Sequence, residues 1–240
     1  MPVRIVTYAT KPEGTFEQLV NNKYGLKIDV IGMGEQWNGF LDKTKGYLEY
    51  CKKCKPDDIV VCVDGYDTEI INDPSKIEEL FKSFNCDVVF SDDKSPRDIL
   101  CWYFIIKVFG TCKGDTTVNA GLYVGYAHKL ADILEASLGY NNDDDQRNLN
   151  SACHRFDNFK IDTNNLMFYN GSGAENTKAI FNGKPGRFSF NRYIRVPKEY
   201  FKYFTIEIFI IFSVLFALNK YIAYGFLGFV LFSLLLSSIL

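Results

Sequence analysis

The 240-residue sequence has little net charge and few histidines, which argues against a nucleic-acid-binding surface and against a histidine metal site. Its 27 lysines and arginines nearly balance its 29 aspartates and glutamates, which leaves a formal net charge of −2. Because there is no basic excess and no basic stripe, we expect no nucleic-acid partner. The two histidines, His128 and His154, lie in separate segments, and we expect each to be an ordinary helix residue rather than a metal ligand.

The N-terminus lacks the long apolar stretch and the small-residue cleavage site of a signal peptide. The seven cysteines form an odd set, and Cys62 lies within an apolar run, so we expect most of them to be reduced. Cys51 and Cys54 have CxxC spacing, but no second pair follows them, and a structural zinc site usually has four ligands. The sequence therefore predicts mainly free thiols and a domain first made facing the cytosol.

The C-terminal segment from Phe201 onward is strongly apolar and is interrupted only by Lys202, Glu207, Asn219 and Lys220. We expect residues 221–240 to form a transmembrane helix, because about 20 apolar residues span a bilayer. Residues 204–218 would form its hairpin partner or lie in the interface. An apolar helix packed on the preceding domain is the alternative. The predicted organisation is a domain over 1–200 and a membrane anchor over 201–240, with the chain tail-anchored in a membrane.

An apolar run, Ile59–Val63, stops abruptly at Asp64, and Asp67 follows three positions later. A short β-branched run bounded in this way favours a strand buried on both faces. In open α/β sheets ligands bind beyond the carboxyl ends of the strands, and Gly65 would let the chain turn so that both acids face that cleft. Two carboxylates there can hold a hard divalent cation together with phosphate oxygens and waters. A plain Asp-Gly turn after a core strand is the alternative.

Other apolar runs alternate with helical patterns, which predicts a largely parallel α/β sheet. Strands are expected at residues 4–10, 26–31, 87–91 and 118–127, and helices at 16–24, 43–55, 76–84 and 147–156. Thr7 and Tyr8 would then lie at the same edge of the sheet as Asp64. The apolar and aromatic segment 101–106 is most simply core, with the wall of an acceptor groove as the alternative.

Three further segments carry candidate binding groups. Trp37, in the glycine-rich loop 32–39, could stack on a flat base or fill the edge of the core. Asn119 precedes small residues in a strand and offers an amide that both donates to and accepts from a sugar hydroxyl. Lys184 and Arg187 lie in a turn-rich segment that suits a pyrophosphate, although a basic surface turn explains them too.

The acids Asp143, Asp144 and Asp145, followed by Gln146, precede the last predicted helix of the soluble part. Acids at a helix N-terminus cap free N–H groups and complement the helix dipole, which explains one or two of them. Three in succession repel one another, so a further use is plausible, either orienting a sugar or accepting a proton from an attacking hydroxyl. Both interpretations stay open at this point.

Taken in order, these motifs resemble the glycosyltransferase domain of the procollagen lysyl hydroxylases and the wider collagen sugar transferases of GT-A fold. The resemblance covers roughly Arg4 to Arg187. It is carried by seven segments: Val6–Thr10, Gly32–Trp37, Val63–Asp67, Cys101–Trp102, Asn119–Gly121, Asp143–Gln146 and Asn182–Gly183. The chain looks most like a short stand-alone member without the hydroxylase domain, of the sort that giant DNA viruses encode.

The resemblance implies Mn²⁺-dependent transfer of a hexose or N-acetylhexosamine from a UDP-sugar to a hydroxyl group. The expected acceptor is hydroxylysine or galactosylhydroxylysine of a collagen-like protein. Asp64 and Asp67 would bind the metal. The residues assigned to the uridine are Thr7, Tyr8, Trp37, Gly65 and Tyr66. Those assigned to the sugar and acceptor side are Asp144, Asp145 and Gln146, and those assigned to the diphosphate are Asn182, Gly183 and Lys184.

One position departs from the family pattern. The family places a histidine two residues before the Asn-Gly pair as a third metal ligand, and this chain has Ile180 there. The change predicts weaker metal binding, because phosphate oxygens and water can complete an octahedral shell, or else lost catalysis. The change at Ile180 favours one alternative to a transferase, a membrane-anchored nucleotide-sugar binder with weak or no activity.

A second alternative is an aspartyl-phosphate phosphotransferase, because the chains of that class also carry acids after an apolar strand. That class needs Asp-x-Asp spacing, whereas two residues separate Asp64 from Asp67.

Overall fold

The computed structural model describes residues 2–93, 99–114, 116–140, 142–171, 177–183 and 199–239, without the side chains of 99–102 and 236–239. The chain divides into two compact units, Met1–Gly186 and Arg187–Leu240. The predicted site residues Lys184 and Arg187 lie outside the described residues, as does Asp115.

The described residues contain nine strands and eight α-helices. The strands are β1 (Val3–Tyr8), β2 (Ile28–Ile31), β3 (Ile59–Asp64), β4 (Thr68–Ile70), β5 (Val88–Asp92), β6 (Val118–Tyr126), β7 (Phe159–Asp162), β8 (Phe168–Asn170) and β9 (Phe181–Gly183). The helices are α1 (Phe16–Val20), α2 (Phe40–Lys53), α3 (Ile77–Ser83), α4 (Ile99–Phe109), α5 (Ala127–Leu138), α6 (Asp145–Cys153), α7 (Thr205–Leu218) and α8 (Lys220–Ile239).

Six strands form the main sheet in the order β2-β1-β3-β6-β5-β7. Every neighbouring pair is parallel except those that involve β6, which runs antiparallel to β3 and to β5. The prediction of a mostly parallel α/β sheet is confirmed. Because β6 is reversed, its first residues lie at the edge where β1, β3 and β5 end. Val118, at the start of β6, pairs with Asp92, at the end of β5.

The central strand β3 is buried on both faces, as its sequence predicts. Residues Ile59 to Val63 are all 0% exposed. Val60 and Cys62 belong to one apolar cluster, which contains residues of α2, α5 and α6. Ile59, Val61 and Val63 belong to the other, which contains residues of α3 and β9. Since its apolar residues are packed on both sides, β3 holds the position of Asp64 at its end.

A second sheet of three short strands, in the order β4-β9-β8, was not predicted from the sequence. β4 pairs antiparallel with β9, and β8 pairs parallel with it. Each of these strands has three residues, too few to show a period of two. Ile180 lies just before β9 and is 3% exposed, within the apolar cluster that also contains Phe181.

The first unit differs from the sequence prediction at one segment and contains one bond that the sequence did not specify. Segment 101–106 was predicted as core, but it lies within α4, where Tyr103 is 43% exposed and residues 104–106 are half-buried, so the prediction is corrected for 103–106. A disulfide joins Cys112 to Cys153 across a sequence separation of 41. Cys51, Cys54, Cys62 and Cys86 are free, in agreement with the prediction of mainly reduced thiols. The pairing was missed because cysteine spacing alone does not determine connectivity.

The second unit contains α7 and α8, which have 14 and 20 residues. Among the residues that the structure describes, none of the helices has both the length and the hydropathy needed to cross a membrane. This finding does not support the prediction of a transmembrane helix over 221–240. Residues 204–218 also fall short, because α7 has fewer than the roughly 20 residues that a bilayer requires.

We expect Asp162, at the end of β7, to hold the turn that leads to β8. Its carboxylate is 1% exposed and accepts hydrogen bonds from the backbone N–H groups of Leu166, Met167 and Phe168 at 2.9, 2.7 and 2.9 Å. Asp162→Ala should lower the free energy of unfolding by roughly 3 kcal/mol, because three donors lose a charged acceptor. Urea denaturation measures the change. Asp157→Ala, at an exposed position nearby, is the control, and equal midpoints for the two variants would contradict the assignment.

Candidate functional site

The candidate site lies at the edge where β1 and β3 end and β6 begins. Asp64 is the last residue of β3, and its side chain is 32% exposed. Gly121, in the neighbouring strand β6, faces this carboxylate so closely that a Cβ there would clash with Asp64 Oδ2. The small residues that follow Asn119 in β6 thus leave space for the Asp64 carboxylate.

Lys43, on α2, is the central cation of this edge. Its Nζ lies 2.9 Å from Asp64 Oδ1 and 2.8 Å from Asp145 Oδ2, and its side chain is only 10% exposed. Burial lowers the pKa of Lys43, but Asp145 and Asp64 together raise it well above its usual value, so the ammonium stays charged. The ion-paired group links the end of β3 to the start of α6, and we call it the Asp64–Lys43–Asp145 cluster.

Sequence reasoning did not identify Lys43 as a site residue. It was noted only as the first residue of a predicted helix, and lysines on helices normally point into solvent. A weak signal was present. Lys43 precedes Thr44, Tyr47, Leu48 and Cys51, which are the other buried residues of α2, and it lies one turn before Tyr47 on the face that packs against the sheet.

The three consecutive acids at the start of α6 have different environments. Asp143 is exposed. Asp144 is the N-cap, and its Oδ1 accepts a hydrogen bond from the Arg147 backbone N–H at 2.8 Å. Asp145 turns inward to Lys43. Burial raises the pKa of Asp144 to about 6, against the opposing effect of the Arg147 N–H. The capping interpretation therefore accounts for one acid of the run.

Gln146 and Asn119 lie around a buried carboxyl group, Asp93, that the sequence did not single out. Gln146 Nε2 donates to Asp93 Oδ2 at 2.7 Å. Burial raises the pKa of Asp93, while hydrogen bonds from Gln146 and Asn119 oppose the shift. Asn119 Oδ1 also accepts from the Gly121 backbone N–H at 2.7 Å. These contacts place two predicted site residues, one on α6 and one on β6, beside the same carboxyl group.

The glycine-rich loop places Trp37 beside the end of β1. The Trp37 ring is 42% exposed, and its centroid lies 6.0 Å from that of Tyr8 and 5.8 Å from that of Phe40. Tyr8 is itself 5% exposed, and its hydroxyl donates to Glu35 Oε2 at 3.1 Å. Burial, followed by the interaction with Glu35, raises the pKa of Tyr8 to about 12. Tyr8 thus supports the loop, while Trp37 presents aromatic surface to solvent.

The turn after β3 holds a second loop in place. The Tyr66 hydroxyl accepts from the Thr10 backbone N–H at 2.9 Å, and the Tyr66 carbonyl accepts from Thr15 N–H at 3.0 Å. Thr7 is 0% exposed, and a Cβ added at Gly65 would lie 3.0 Å from its Oγ1. Asp67 lies in the same turn and is half-buried. Thr7, Gly65 and Tyr66 are therefore neighbours, with Thr7 beneath the turn rather than at its surface.

Asn182 and Gly183 lie in β9, in the small sheet. Asn182 is 0% exposed and pairs with Glu69 of β4 and with Tyr169 of β8. A Cβ at Gly183 would clash with the Asn170 amide, whose Nδ2 donates to the Asp92 carbonyl at 2.8 Å. Asn170 therefore connects the small sheet to the end of β5.

The described residues offer a cation only part of a coordination shell. No group of three or more His, Cys, Asp or Glu side chains within them is arranged to hold a metal ion. One oxygen of Asp64 is already paired with Lys43, and Ile180 is packed in the core. A hard cation at Asp64 would therefore need most of its oxygen ligands from a bound phosphate group and water.

The family model and the sequence relatives that match this chain agree on one family. The model of the PLOD GT domain matches residues 2–195. The chain is 23% identical over 193 residues to a procollagen-lysine,2-oxoglutarate 5-dioxygenase of Drosophila melanogaster, covering 72% of this chain and 26% of that protein. It is 24% identical over 195 residues to the multifunctional procollagen lysine hydroxylase and glycosyltransferase of Caenorhabditis elegans, covering 71% and 26%. The chain thus spans about a quarter of the length of these relatives.

Among solved structures, the apo form of the bifunctional glycosyltransferase WbbM superposes with a TM-score of 0.48 at 12% identity, covering 78% of this chain and 46% of that one.

Replacing Lys43 should expose how much the cluster contributes to stability. In Lys43→Met two carboxylates lose their shared partner in a largely buried site, and we expect the free energy of unfolding to fall by roughly 3–5 kcal/mol. Lys45→Met, at an exposed position of the same helix, is the matched control and should change stability by less than about 0.5 kcal/mol. Guanidinium denaturation of both variants at pH 7 measures the difference. A Lys43→Met midpoint equal to that of the control would show that the cluster is not formed.

Asp144 should give the stability a specific pH dependence. Its pKa is about 6 in the native state, above the usual 3.8, so the native state holds a proton that the unfolded state has lost between these values. Stability from this group is present below pH 4 and falls as the pH rises to 6. Asp144→Asn should therefore match the wild type near pH 4 and exceed it above pH 6, by on the order of 3 kcal/mol. Asp143→Asn, at the exposed neighbour, should show no such divergence in urea denaturation at several pH values.

Proposed function

Because the chain belongs to the PLOD GT domain family and is a glycosyltransferase domain, we propose that it transfers a hexose or N-acetylhexosamine from a UDP-sugar to a hydroxyl acceptor. The observation that carries the proposal is the Asp64–Lys43–Asp145 cluster, which lies within the matched residues and at the strand-end edge. Ligands of open α/β sheets bind at that edge. We assign the mostly parallel sheet to the GT-A fold as part of the same proposal.

The donor would lie across the ends of β1 and β3. Trp37 offers exposed aromatic surface on which a uracil ring can stack, and Tyr8 fixes its loop from below. Gly65 and Tyr66 lie in the turn that would border the uridine, with Thr7 of β1 beneath it. Lys43 would hold the Asp64 carboxylate in a fixed orientation beside the position proposed for the diphosphate.

The remaining diphosphate contacts would come from the small sheet and the segment that follows it. Asn182 and Gly183 belong to β9, at the end of a described range, and Lys184 and Arg187 follow in residues that the structure does not describe. Asp64 and Asp67 would hold Mn²⁺ together with oxygens of the donor. When bound, the cation would neutralise charge on the departing UDP.

The acceptor side would be formed by α6 and the start of β6. Asp144, with its pKa raised to about 6, is ionised at neutral pH yet basic enough to take the proton of an attacking hydroxyl. Asp145 is held by Lys43, so its proposed role is to fix the geometry at this end of the helix. Asn119 and Gln146 would orient sugar or acceptor hydroxyls from beside Asp93. Hydroxylysine or galactosylhydroxylysine of a collagen-like protein is the proposed acceptor, on the strength of the relatives.

A second candidate function is nucleotide-sugar binding with weak or no transfer. Ile180 favours this alternative, because its side chain is packed in the apolar core and adds no metal ligand at the strand-end edge. Under this alternative, UDP would bind with measurable heat while no acceptor or water receives the sugar.

The test is UDP release by the full chain from UDP-glucose, UDP-galactose and UDP-N-acetylglucosamine, with Mn²⁺ and with a chelator. We expect release from at least one donor and a loss of 100-fold or more in Asp64→Asn. That loss corresponds to about 2.7 kcal/mol of transition-state stabilisation. Asp57→Asn is the matched control, because Asp57 is exposed at the opposite end of the same strand. Equal rates for the two variants would refute the assignment of Asp64, and UDP binding without release would favour the second candidate.

A further inference from the structure

One side of α6 is fastened to the chain segment between α4 and β6. Arg147, Asn150 and Cys153 recur every three residues, so they follow the same side of the helix. All of them contact residues between Lys107 and Val118. The helix is therefore attached to one segment at three positions, by hydrogen bonds at Arg147 and Asn150 and by a disulfide at Cys153.

The first two of these attachments are hydrogen bonds. Arg147 Nη1 donates to the carbonyl of Lys107 at 2.8 Å and to that of Val108 at 2.6 Å, near the C-terminus of α4. The Asn150 amide is 0% exposed, accepts from Val118 N–H at 2.9 Å and donates to the Val118 carbonyl at 3.3 Å. These bonds hold the middle of the helix against α4 and the start of β6.

The third attachment is covalent. Cys153 is the last residue of α6, and its disulfide to Cys112 joins two side chains that are each 0% exposed. Cys112 lies in a turn whose backbone is closed by a hydrogen bond from Cys112 N–H to the Thr116 carbonyl at 2.7 Å. His154, the C-cap, adds a contact of 3.0 Å between its Nε2 and the Thr111 carbonyl. The C-terminal end of α6 is thus anchored by a bond that a change in redox conditions can break.

The opposite end of the same helix carries the site residues. Asp145 contacts Lys43 and Gln146 contacts Asp93, and both are in the first turn of α6. A helix of nine residues is about 13 Å long and behaves as a rigid rod, so a change in the direction of its C-terminal end displaces its first turn. Hydrogen bonds and ion pairs at distances near 2.8 Å weaken steeply with such displacements.

We propose that the Cys112–Cys153 disulfide is a positioning bond for the first turn of α6, so that full transfer activity requires the oxidised pair. The proposal rests on the proposed function for its activity readout. A dithiol reductant would break the S–S bond and deliver two electrons and two protons, leaving two Cys thiols and an oxidised, cyclic reductant. Arg147 and Asn150 would still hold the middle of the helix, so the expected consequence is misplacement of Asp145 and Gln146, with the fold kept.

The first measurement establishes the bond itself. The wild-type chain is denatured without reductant, and its thiols are counted before and after reduction. We expect two more thiols after reduction, since four of the cysteines whose side chains are described are free and two are paired. Equal counts would show that the bond does not form and would overturn the proposal.

The second measurement compares Cys112→Ala/Cys153→Ala with Cys86→Ala, a matched removal of a free, buried thiol on the other face of the sheet. We expect kcat for the preferred UDP-sugar to fall at least fivefold in the double variant, while the calorimetric Kd for UDP changes less than twofold. The control should keep both values. An unchanged kcat would overturn the proposal, and so would loss of UDP binding together with activity, because that result describes collapse of the site.

A readout without turnover separates this proposal from the proposed function. The carboxyl ¹³C resonances of Asp144 and Asp145 should shift in the double variant, because their surroundings change, whereas that of Asp64 should move less. Should no UDP-sugar be turned over by the wild type, the proposed function fails, and these resonances still decide whether the disulfide positions α6. Unmoved resonances would overturn the positioning role.

If the double variant does not fold, the wild type is titrated with dithiothreitol, and far-UV circular dichroism shows whether the helices persist. Loss of activity at constant ellipticity supports the positioning role. Unfolding in step with the loss of activity would assign the disulfide to stability alone and overturn the proposal.

Discussion

The first unit is organised around one buried ammonium group that two carboxylates share. Lys43 comes from α2, Asp64 from β3 and Asp145 from α6, so three elements distant in sequence meet at a single charge. A lysine removed from water in this way stays ionised only if opposite charges compensate for its lost hydration. The cluster therefore constrains the positions of all three elements. It also leaves a fixed, solvent-reaching carboxylate at the end of the central strand, because Asp64 keeps about a third of its side chain exposed.

The edge where β1, β3 and β5 end is polar and closely packed because β6 runs antiparallel to its neighbours. In a wholly parallel sheet only the carboxyl ends of strands would meet there, whereas here the start of β6 contributes Asn119 and Gly121. Gly121 lies against Asp64, and Asn119 lies beside Asp93, which follows β5. One antiparallel strand, β6, therefore lies beside two carboxyl groups that come from the ends of different strands. The first turn of α6 is linked to Asp64 through Asp145 and Lys43, and to Asp93 through Gln146.

The sequence predicted the parts of this arrangement that depend on long, regular patterns. The apolar run before Asp64 is long enough to identify a strand buried on both faces, and the alternation of strands and helices gives the parallel sheet. Lys43 could not be found in this way, because a buried lysine differs from an exposed one only in what the fold brings to it. The strands β4, β8 and β9 have three residues each, which is too few to show a repeated alternation of apolar and polar residues. Cysteine spacing likewise carries no information on pairing, so the bond between Cys112 and Cys153 appears only when α6 is placed beside the turn after α4.

The division of the acidic run shows why its members could not be assigned from composition. Asp144 and Asp145 are adjacent in sequence, but a helix start sends successive side chains in different directions, so one caps the helix and the other turns to Lys43. Burial raises the pKa of both acids. Lys43 opposes the shift at Asp145, whereas a backbone N–H chiefly opposes it at Asp144, whose pKa is raised to about 6. A charged, fixed acid and a proton-accepting acid thus lie side by side, which is the separation of roles that acid–base chemistry requires.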